Sequence, residues 1–489
     1  MFKHDSQDDA PLCDALQKYL ERHLTTFTVP GHKMGRSTDQ FFRKHLDNAV
    51  FQHDIPLLKG LDDRTESHKV RERAEKLAAA AYKADVCFIS VNGSSMSAHA
   101  AMMAVADPGE TVIVPRNSHK SLIAACVIAG VNLVFIETEI DEELNVQHGI
   151  EPASVRRMLQ KRPDAKAVFI VSPTYFGVAS DIKGIAEVCH ERNIPLIVDE
   201  AWGAHFPFCD QLPPAGTECG ADLCIVSIHK TLSGLGQASL VLQKGKRIDS
   251  HRLKLAVTTF ESTSPSSLIL CSADAARRQM VQDGQKLWGR TVELANHVRE
   301  ELKNEKDIFI YSSDLEGRPG VFKFDKVKIV IDVSGLGVTG FAVGDRLDSN
   351  HNIMVELADE QRVAALLTIA DDEDSIKKLV SGLRESFEWA RRQPREQHRL
   401  PKLKEICSEE VIPPSKAWYH KTKTVSLQNA ANEISAEMLS PYPPGIPRVV
   451  PGERITPELV EFFSVGQKLG MYIDAIDPTL KNIRVVDFT

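Results

Sequence analysis

The chain has 489 residues, 43% hydrophobic and 26% charged, a balance that excludes a disordered or fibrous protein. That length asks for about two to four domains at roughly 100–200 residues each. With Lys+Arg at 59 against Asp+Glu at 67, the net charge of −8 argues against a nucleic-acid partner, whose footprint would be basic.

Between residues 70 and 245, short apolar runs alternate with amphipathic segments. In chain order the predicted strands are Val86–Val91, Thr111–Val114, Leu133–Ile136, Ala167–Val171, Pro195–Val198 and Leu223–Ile228. Helical patterns lie between them at Ser95–Val105, Ser118–Ala129, Pro152–Gln160 and Ile182–Arg192. This alternation predicts an α/β domain with a largely parallel sheet covered on both faces. Beyond residue 300, Lys328–Val333 and Ile353–Leu357 read as strands and Asp374–Arg391 as an amphipathic helix, a smaller α+β unit. The charged stretch Arg391–Ser415 reads as a linker, and the tail carries a proline-dense run, Pro441–Pro447. The expected domains are an N-terminal arm (1–60), a large domain (61–305), a small α+β domain (306–395) and a C-terminal domain (396–489).

Nine scattered cysteines with no CxxC pair indicate neither a disulfide framework nor a thiolate metal site. The N-terminus lacks a signal-peptide core, and the longest apolar stretch, Leu122–Gly130, is shorter than the ~20 residues a span needs. A cytoplasmic protein without a membrane or metal partner is expected.

In parallel sheets, ligands bind beyond the carboxyl ends of the strands, so the residues that follow them carry the chemistry. Four turns stand out. Asn92-Gly93-Ser94-Ser95 leads from a strand into a helix and suits a phosphate; taken alone it reads first as a serine N-cap. Asp199, at a strand end before Glu200-Ala201-Trp202, suits a metal, a histidine or a protonated ring nitrogen, or simply caps a helix. Ser227-Ile228-His229-Lys230 ends a buried run with a lysine, the usual Schiff-base nucleophile, while Ser227 and His229 share a face. His119, after Pro115-Arg116-Asn117-Ser118, can stack on an aromatic ligand or move protons; a lone histidine is more often structural.

Together, the order phosphate turn, histidine, strand-end acid, lysine resembles the pyridoxal 5′-phosphate (PLP) enzymes of the aspartate-aminotransferase fold. Longer strings narrow the resemblance. Pro30-Gly31-His32-Lys33, Ser172-Pro173-Thr174-Tyr175-Phe176-Gly177, Ser227-Ile228-His229-Lys230, Thr263-Ser264-Pro265-Ser266, Val355-Glu356-Leu357-Ala358-Asp359 and Tyr442–Pro447 with Pro451-Gly452-Glu453 are similar to the ornithine/lysine/arginine decarboxylase family. Because the first motif starts at residue 30, the chain resembles the short members without an N-terminal wing domain, which implies a homodimer or somewhat higher oligomer rather than a decamer.

The resemblance implies a fold type I large domain with a mostly parallel seven-stranded sheet, plus smaller α+β C-terminal domains. It implies that Lys230 carries PLP as an internal aldimine, that Asp199 holds the ring nitrogen, and that His119 stacks on the ring against Ala201. Ser94, Ser95, Thr174, Ser227 and His229 would complete the cofactor cup, with Ser262 and Ser264 reaching a neighbouring subunit's phosphate. Trp202, His205 and Glu356 fall on the substrate side, where Glu356 or Asp359 suits a cationic distal group. The implied reaction is decarboxylation of a basic amino acid, arginine before lysine. One departure opens an alternative: where most members read close to LDDLHxPxG, this chain reads Leu61-Asp62-Asp63-Arg64-Thr65-Glu66-Ser67-His68-Lys69. Arg64 would repel a cationic substrate, so oxidative deamination, transamination or elimination on an arginine-like substrate is the second expectation.

Overall fold

The computed structural model describes residues 6–56, 69–397, 399–406 and 408–489. The departure at 61–68, with Arg64, lies outside the described residues.

The main sheet has seven strands: β1 (Val86–Ser90), β2 (Thr111–Pro115), β3 (Asn132–Ile136), β4 (Ala167–Val171), β5 (Leu196–Asp199), β6 (Leu223–Ser227) and β7 (Ser239–Gln243). Their order is β1-β7-β6-β5-β4-β2-β3. The pairs β5/β6, β2/β4 and β2/β3 are parallel, whereas β7 runs antiparallel to both β1 and β6. The six strands expected from apolar runs are all present within two residues of their predicted bounds. The seventh, β7, is the antiparallel one, and its Ser-Leu-Val-Leu-Gln is too short an apolar run to announce itself. Every residue of β2, β4, β6 and β7 is buried, as strands covered on both faces require.

By its internal contacts the chain divides into two compact units. The first holds the described residues of Met1–Ala104, Ile197–Asp210 and Pro214–Lys286; the second holds Val105–Leu196, Gln211–Pro213 and Leu287–Thr489. In the first, helix Val70–Ala81 buries Val70, Ala74, Leu77, Ala78 and Ala79. Tyr82, which follows it, is buried, donates its hydroxyl to the Ala204 carbonyl at 2.8 Å and meets Phe208 edge-on at 5.2 Å. Helix Gly93–Val105 is apolar nearly all round and buries seven residues, which marks it as interior.

In the second unit a smaller antiparallel sheet contains β8 (Phe309–Ile310), β9 (Lys328–Asp332), β10 (Leu357–Ala358) and β11 (Arg362–Leu366), ordered β8-β9-β11-β10. Helices Gly340–His351 and Glu373–Ala390 bury Leu347, Ile376, Leu383 and Phe387 in one core with Ile329 and Ile331. The expected α+β pattern is present, with one difference. The strand predicted over 353–357 forms only at Leu357–Ala358, because Asn352 ends the preceding helix in the left-handed region (φ 50°) and Ile353 and Met354 lie in the loop that follows. Toward the C-terminus, β12 (Thr422–Val425) pairs antiparallel with β13 (Ile483–Val486), and helix Pro457–Lys468 buries Leu459, Phe462 and Phe463. The stretch read as a linker is not only a connection: Ile406 is buried in this core, and Leu400 and Leu403 pack against it.

Candidate active site

In the first unit, strand register builds the site. Ser90 of β1 pairs with Ser239 of β7, which pairs with Ser227 of β6, so three serines form a row across the sheet at one end. β1 and β6 finish there, and helix Gly93–Val105 begins beside them. Gly93 has φ +72°, a conformation that favours glycine, and a Cβ at that position would meet nothing within 4 Å. Its backbone N–H is used by the Gln237 carbonyl at 2.9 Å. One residue on, the Ser94 and Ser227 hydroxyls lie 2.7 Å apart, and behind them Ser97 and Ser239 pair at 2.9 Å. Ser95 is exposed on the same first turn. Open space, two hydroxyls and a helix N-terminus together suit an anion.

Strand β5 delivers Asp199 to the same end, with Asp199 in register with Ile225. Its Oδ1 accepts from the Ala201 N–H at 3.2 Å. Burial pushes the Asp199 carboxyl up, and the charge of Lys230 works against that rise. Lys230 sits in the single helical turn Ile228–Thr231 directly after β6, with its Nζ 4.4 Å from the centroid of the buried Trp202 ring. His229 donates from Nδ1 to the Ala238 carbonyl at 2.9 Å, while burial, and then Lys230, hold the ring below its ordinary value. His205 is fully buried with its ring 4.8 Å from Phe206.

Sequence reasoning passed over Glu200. Pointing to the opposite side from Asp199, it is 1% exposed, accepts from the Gly216 N–H at 2.9 Å, and is pushed up to about 8 by burial. Ser90, Ser97 and Ser239 were given no role either; Ser90 closes an apolar run, whereas Ser239 opens one and Ser97 lies inside a helix, where the local sequence carries no such signal. Ser262 and Ser264 are exposed in the turn before the long helix Ser267–Leu302, their hydroxyls 3.3 Å apart.

The first unit therefore brings together Ser94, Ser95, Asp199, Ala201, Trp202, Ser227, His229 and Lys230. Three expected residues belong to the second unit. His119 caps helix Lys120–Ala129, its Nδ1 accepting from the Ser121 N–H at 3.2 Å. The proline-dense run lies against it: a Cβ on Gly445 would sit 3.3 Å from His119 Nε2, and the Lys120 N–H donates to the Gly445 carbonyl at 3.0 Å. Thr174 is buried, its Oγ1 accepting from the Val178 N–H at 3.2 Å, and it borders a cavity of about 110 Å³ with Asn117, Phe176 and Arg362. Glu356 is exposed beside β10. Asp359 is already engaged: Arg362 donates to its Oδ2 at 2.7 Å, and the Gln361 and Arg362 N–H groups hold Oδ1.

Among the described residues no cluster of His, Cys, Asp or Glu is arranged to hold a metal ion, and no helix is long and apolar enough to cross a membrane.

Comparison with known proteins identifies the family. The Orn/Lys/Arg decarboxylase major domain matches residues 10–375, and the C-terminal domain of the same family matches residues 403–473. The arginine decarboxylase of Bacillus subtilis (strain 168) is 35% identical over 486 residues, 98% of each chain, and that of Bacillus anthracis is 33% identical over the same span. The constitutive lysine decarboxylase of Escherichia coli (strain K12) is 26% identical, over 94% of this chain and 78% of its own. Among solved structures, the Francisella novicida lysine decarboxylase superposes with a TM-score of 0.80 at 22% identity, covering 98% of this chain and 82% of that one. The fold is accordingly the type I fold that the resemblance implied. The chain belongs to the ornithine/lysine/arginine decarboxylase family.

Proposed function

We propose that the protein is a PLP-dependent carboxy-lyase that acts on a basic amino acid, arginine first and lysine next, releasing CO₂ and agmatine or cadaverine. The observation that carries this reading is the constellation of Asp199, Lys230 and the Ser94–Ser227 hydroxyl pair at one end of the sheet, in a chain whose full-length relatives at 33–35% identity are named arginine decarboxylases.

The residues fit the cofactor. Asp199 is an enclosed carboxyl whose nearest opposite charge is Lys230, and a protonated ring nitrogen would give it a second partner. The space at Gly93 and the paired hydroxyls accept a phosphate. When bound, PLP supplies an electron sink for the pair left at Cα as CO₂ departs.

The chain's own residues do the rest. The Lys230 amine would anchor the cofactor aldehyde, and Asp199 would keep the proton on the ring nitrogen. Ser94, Ser95, Ser227 and His229 hold the phosphate; an anion at His229 Nε2 favours the doubly protonated ring. Ala201 would pack against the ring, and the stacking role would fall to His119. Thr174 supports the cup, while Ser262 and Ser264 extend to the phosphate of a second copy, so the working unit is a homodimer or larger. Lys230 or His119 returns a proton to Cα. Trp202 and His205 shape the substrate side. Glu356 meets the distal cation, a role closed to Asp359 because Arg362 already uses it. The product fits polyamine synthesis in the cytoplasm.

The test incubates cofactor-loaded protein with arginine, lysine and ornithine, measures CO₂ and identifies products by mass spectrometry. Agmatine with stoichiometric CO₂ from arginine is the expected result. Ammonia, a keto acid or an elimination product in place of an amine would defeat the reading.

A further inference from the structure

The N-terminal arm docks on the long helix through a buried polar seam. Helix Pro11–Leu20 buries Leu12, Ala15, Leu16 and Tyr19. The Leu12 N–H donates to Asp274 Oδ2 at 2.9 Å, and the other Asp274 oxygen accepts from Arg277 at 2.8 Å. Both of these side chains are essentially inaccessible. Arg277 also donates to the Gln7 and Asp9 carbonyls, and Arg278 to the Asp8 carbonyl. The chain just ahead of the helix is thus held by two arginines of one helix turn.

Two thiols meet in this seam. The Cys13 thiol donates to the Cys271 carbonyl oxygen at 3.4 Å, across 258 residues of chain, which brings the two cysteines side by side. Cys13 is partly exposed, whereas Cys271 is buried. Their chemistry differs in the direction a redox pair needs. The neighbouring Cys271 thiol draws the Cys13 thiol below its ordinary value, while the Cys13 thiol and burial push Cys271 up. Cys13 is therefore the thiol that ionises more readily and that an oxidant in solvent can reach, and Cys271 is the protonated partner beside it.

We propose that Cys13 and Cys271 form a peroxide-driven disulfide latch that fastens the N-terminal arm to the long helix. The Cys13 thiolate attacks hydrogen peroxide, breaking the O–O bond and giving a sulfenic acid and hydroxide. Cys271 sulfur then attacks the sulfenic sulfur, the S–O bond breaks, and the Cys271 proton leaves with the oxygen as water. In sum, two thiols and one peroxide yield one disulfide and two waters. The arm is held by non-covalent packing of one short helix and by hydrogen bonds from residues such as Arg277, Arg278 and Gln282, so the bond converts a reversible docking into a covalent one.

The full-length protein, treated with equimolar hydrogen peroxide, alkylated and digested without reductant, tests the latch by mass spectrometry. The expected linked peptide joins Cys13 to Cys271, disappears with dithiothreitol, and is absent from Cys13→Ser and from Cys271→Ala. It persists in Cys219→Ser and Cys407→Ser. Protease cleavage within residues 6–27 should slow ~10-fold or more in the oxidised wild type, with no peroxide effect in Cys13→Ser. Folded wild-type protein that returns Cys13 as free thiol or sulfinic acid without the linked peptide would overturn the proposal. Equal cleavage of linked and reduced arms would overturn the latch.

Discussion

Two charge clusters, one at the strand ends of the first unit and one in the small sheet of the second, look alike by residue type and differ in their hydrogen-bond partners. Arg362 spends its guanidinium on Asp359 Oδ2, the Tyr311 hydroxyl, the Leu144 and Asn145 carbonyls and Gln361 Oε1, and lies over the Phe176 ring. Asp359 in turn fills both oxygens. Asp199 accepts one backbone N–H and has Lys230 as its opposite charge. A saturated pair such as Arg362–Asp359 holds the fold, whereas the proposed cofactor role of Asp199 needs acceptor capacity left over. The distinction lies in hydrogen-bond capacity, because both clusters contain an acid and a base on adjacent strand ends.

The comparison predicts where activity and stability separate. Lys230→Ala would remove the proposed anchor and proton donor, so turnover should fall about 10³-fold or more with little change in melting temperature. Radiometric CO₂ release together with calorimetry checks the pair of outcomes. Asp199→Asn keeps shape and loses charge, and a loss of about 100-fold in kcat is expected, again with a folded protein. Arg362→Met reverses the pattern. It strands Asp359 and two carbonyls and should cost about 3–5 kcal/mol in urea unfolding, while the protein that remains folded keeps its KM. A large KM rise in Arg362→Met would mean that this pair also serves substrate.

A pH-dependent effect concerns Glu200, which is raised from its ordinary 4.5 to about 8 by burial. A raised acid stays protonated in the folded chain while the unfolded chain ionises. Its contribution is therefore intact below about pH 4.5 and is lost progressively as pH climbs to about 8. Glu200→Gln, neutral throughout and still able to accept from Gly216, should flatten that decline. Thermal midpoints measured from pH 5 to 8 would reveal it as a wild-type curve that falls faster than the variant's.

Much of this was readable before any coordinates. The parallel strands declare themselves as apolar runs because both faces are covered, and the residues after them locate Ser94, Asp199, Ser227 and Lys230. What escaped had weaker local signals. The strand β7 has three apolar residues between polar ends, and the long helix Ser267–Leu302 begins where a serine-proline motif drew the eye. The strand β11 opens on a charged arginine, so nothing in its first residue suggests burial, yet Arg362 is 4% exposed. Pairing of distant polar groups, such as Ser97 with Ser239, depends on register, and register is not a property of either segment alone.

The reversed direction of β7 has a consequence for engineering. A sheet of parallel strands alone would send every connection out from the site end and bring it back at the opposite edge. Here the chain from Gly234 to Ala238 turns back at once, and the Gln237 and Ala238 carbonyls hold the Gly93 N–H and His229 Nδ1. The two rims of this strand are thus unequal as insertion points. A peptide tag placed beyond Gln243 enters at the far rim, where Gly245 leads into an exposed turn. One placed between Gly234 and Ser239 would loosen the histidine and the glycine turn together.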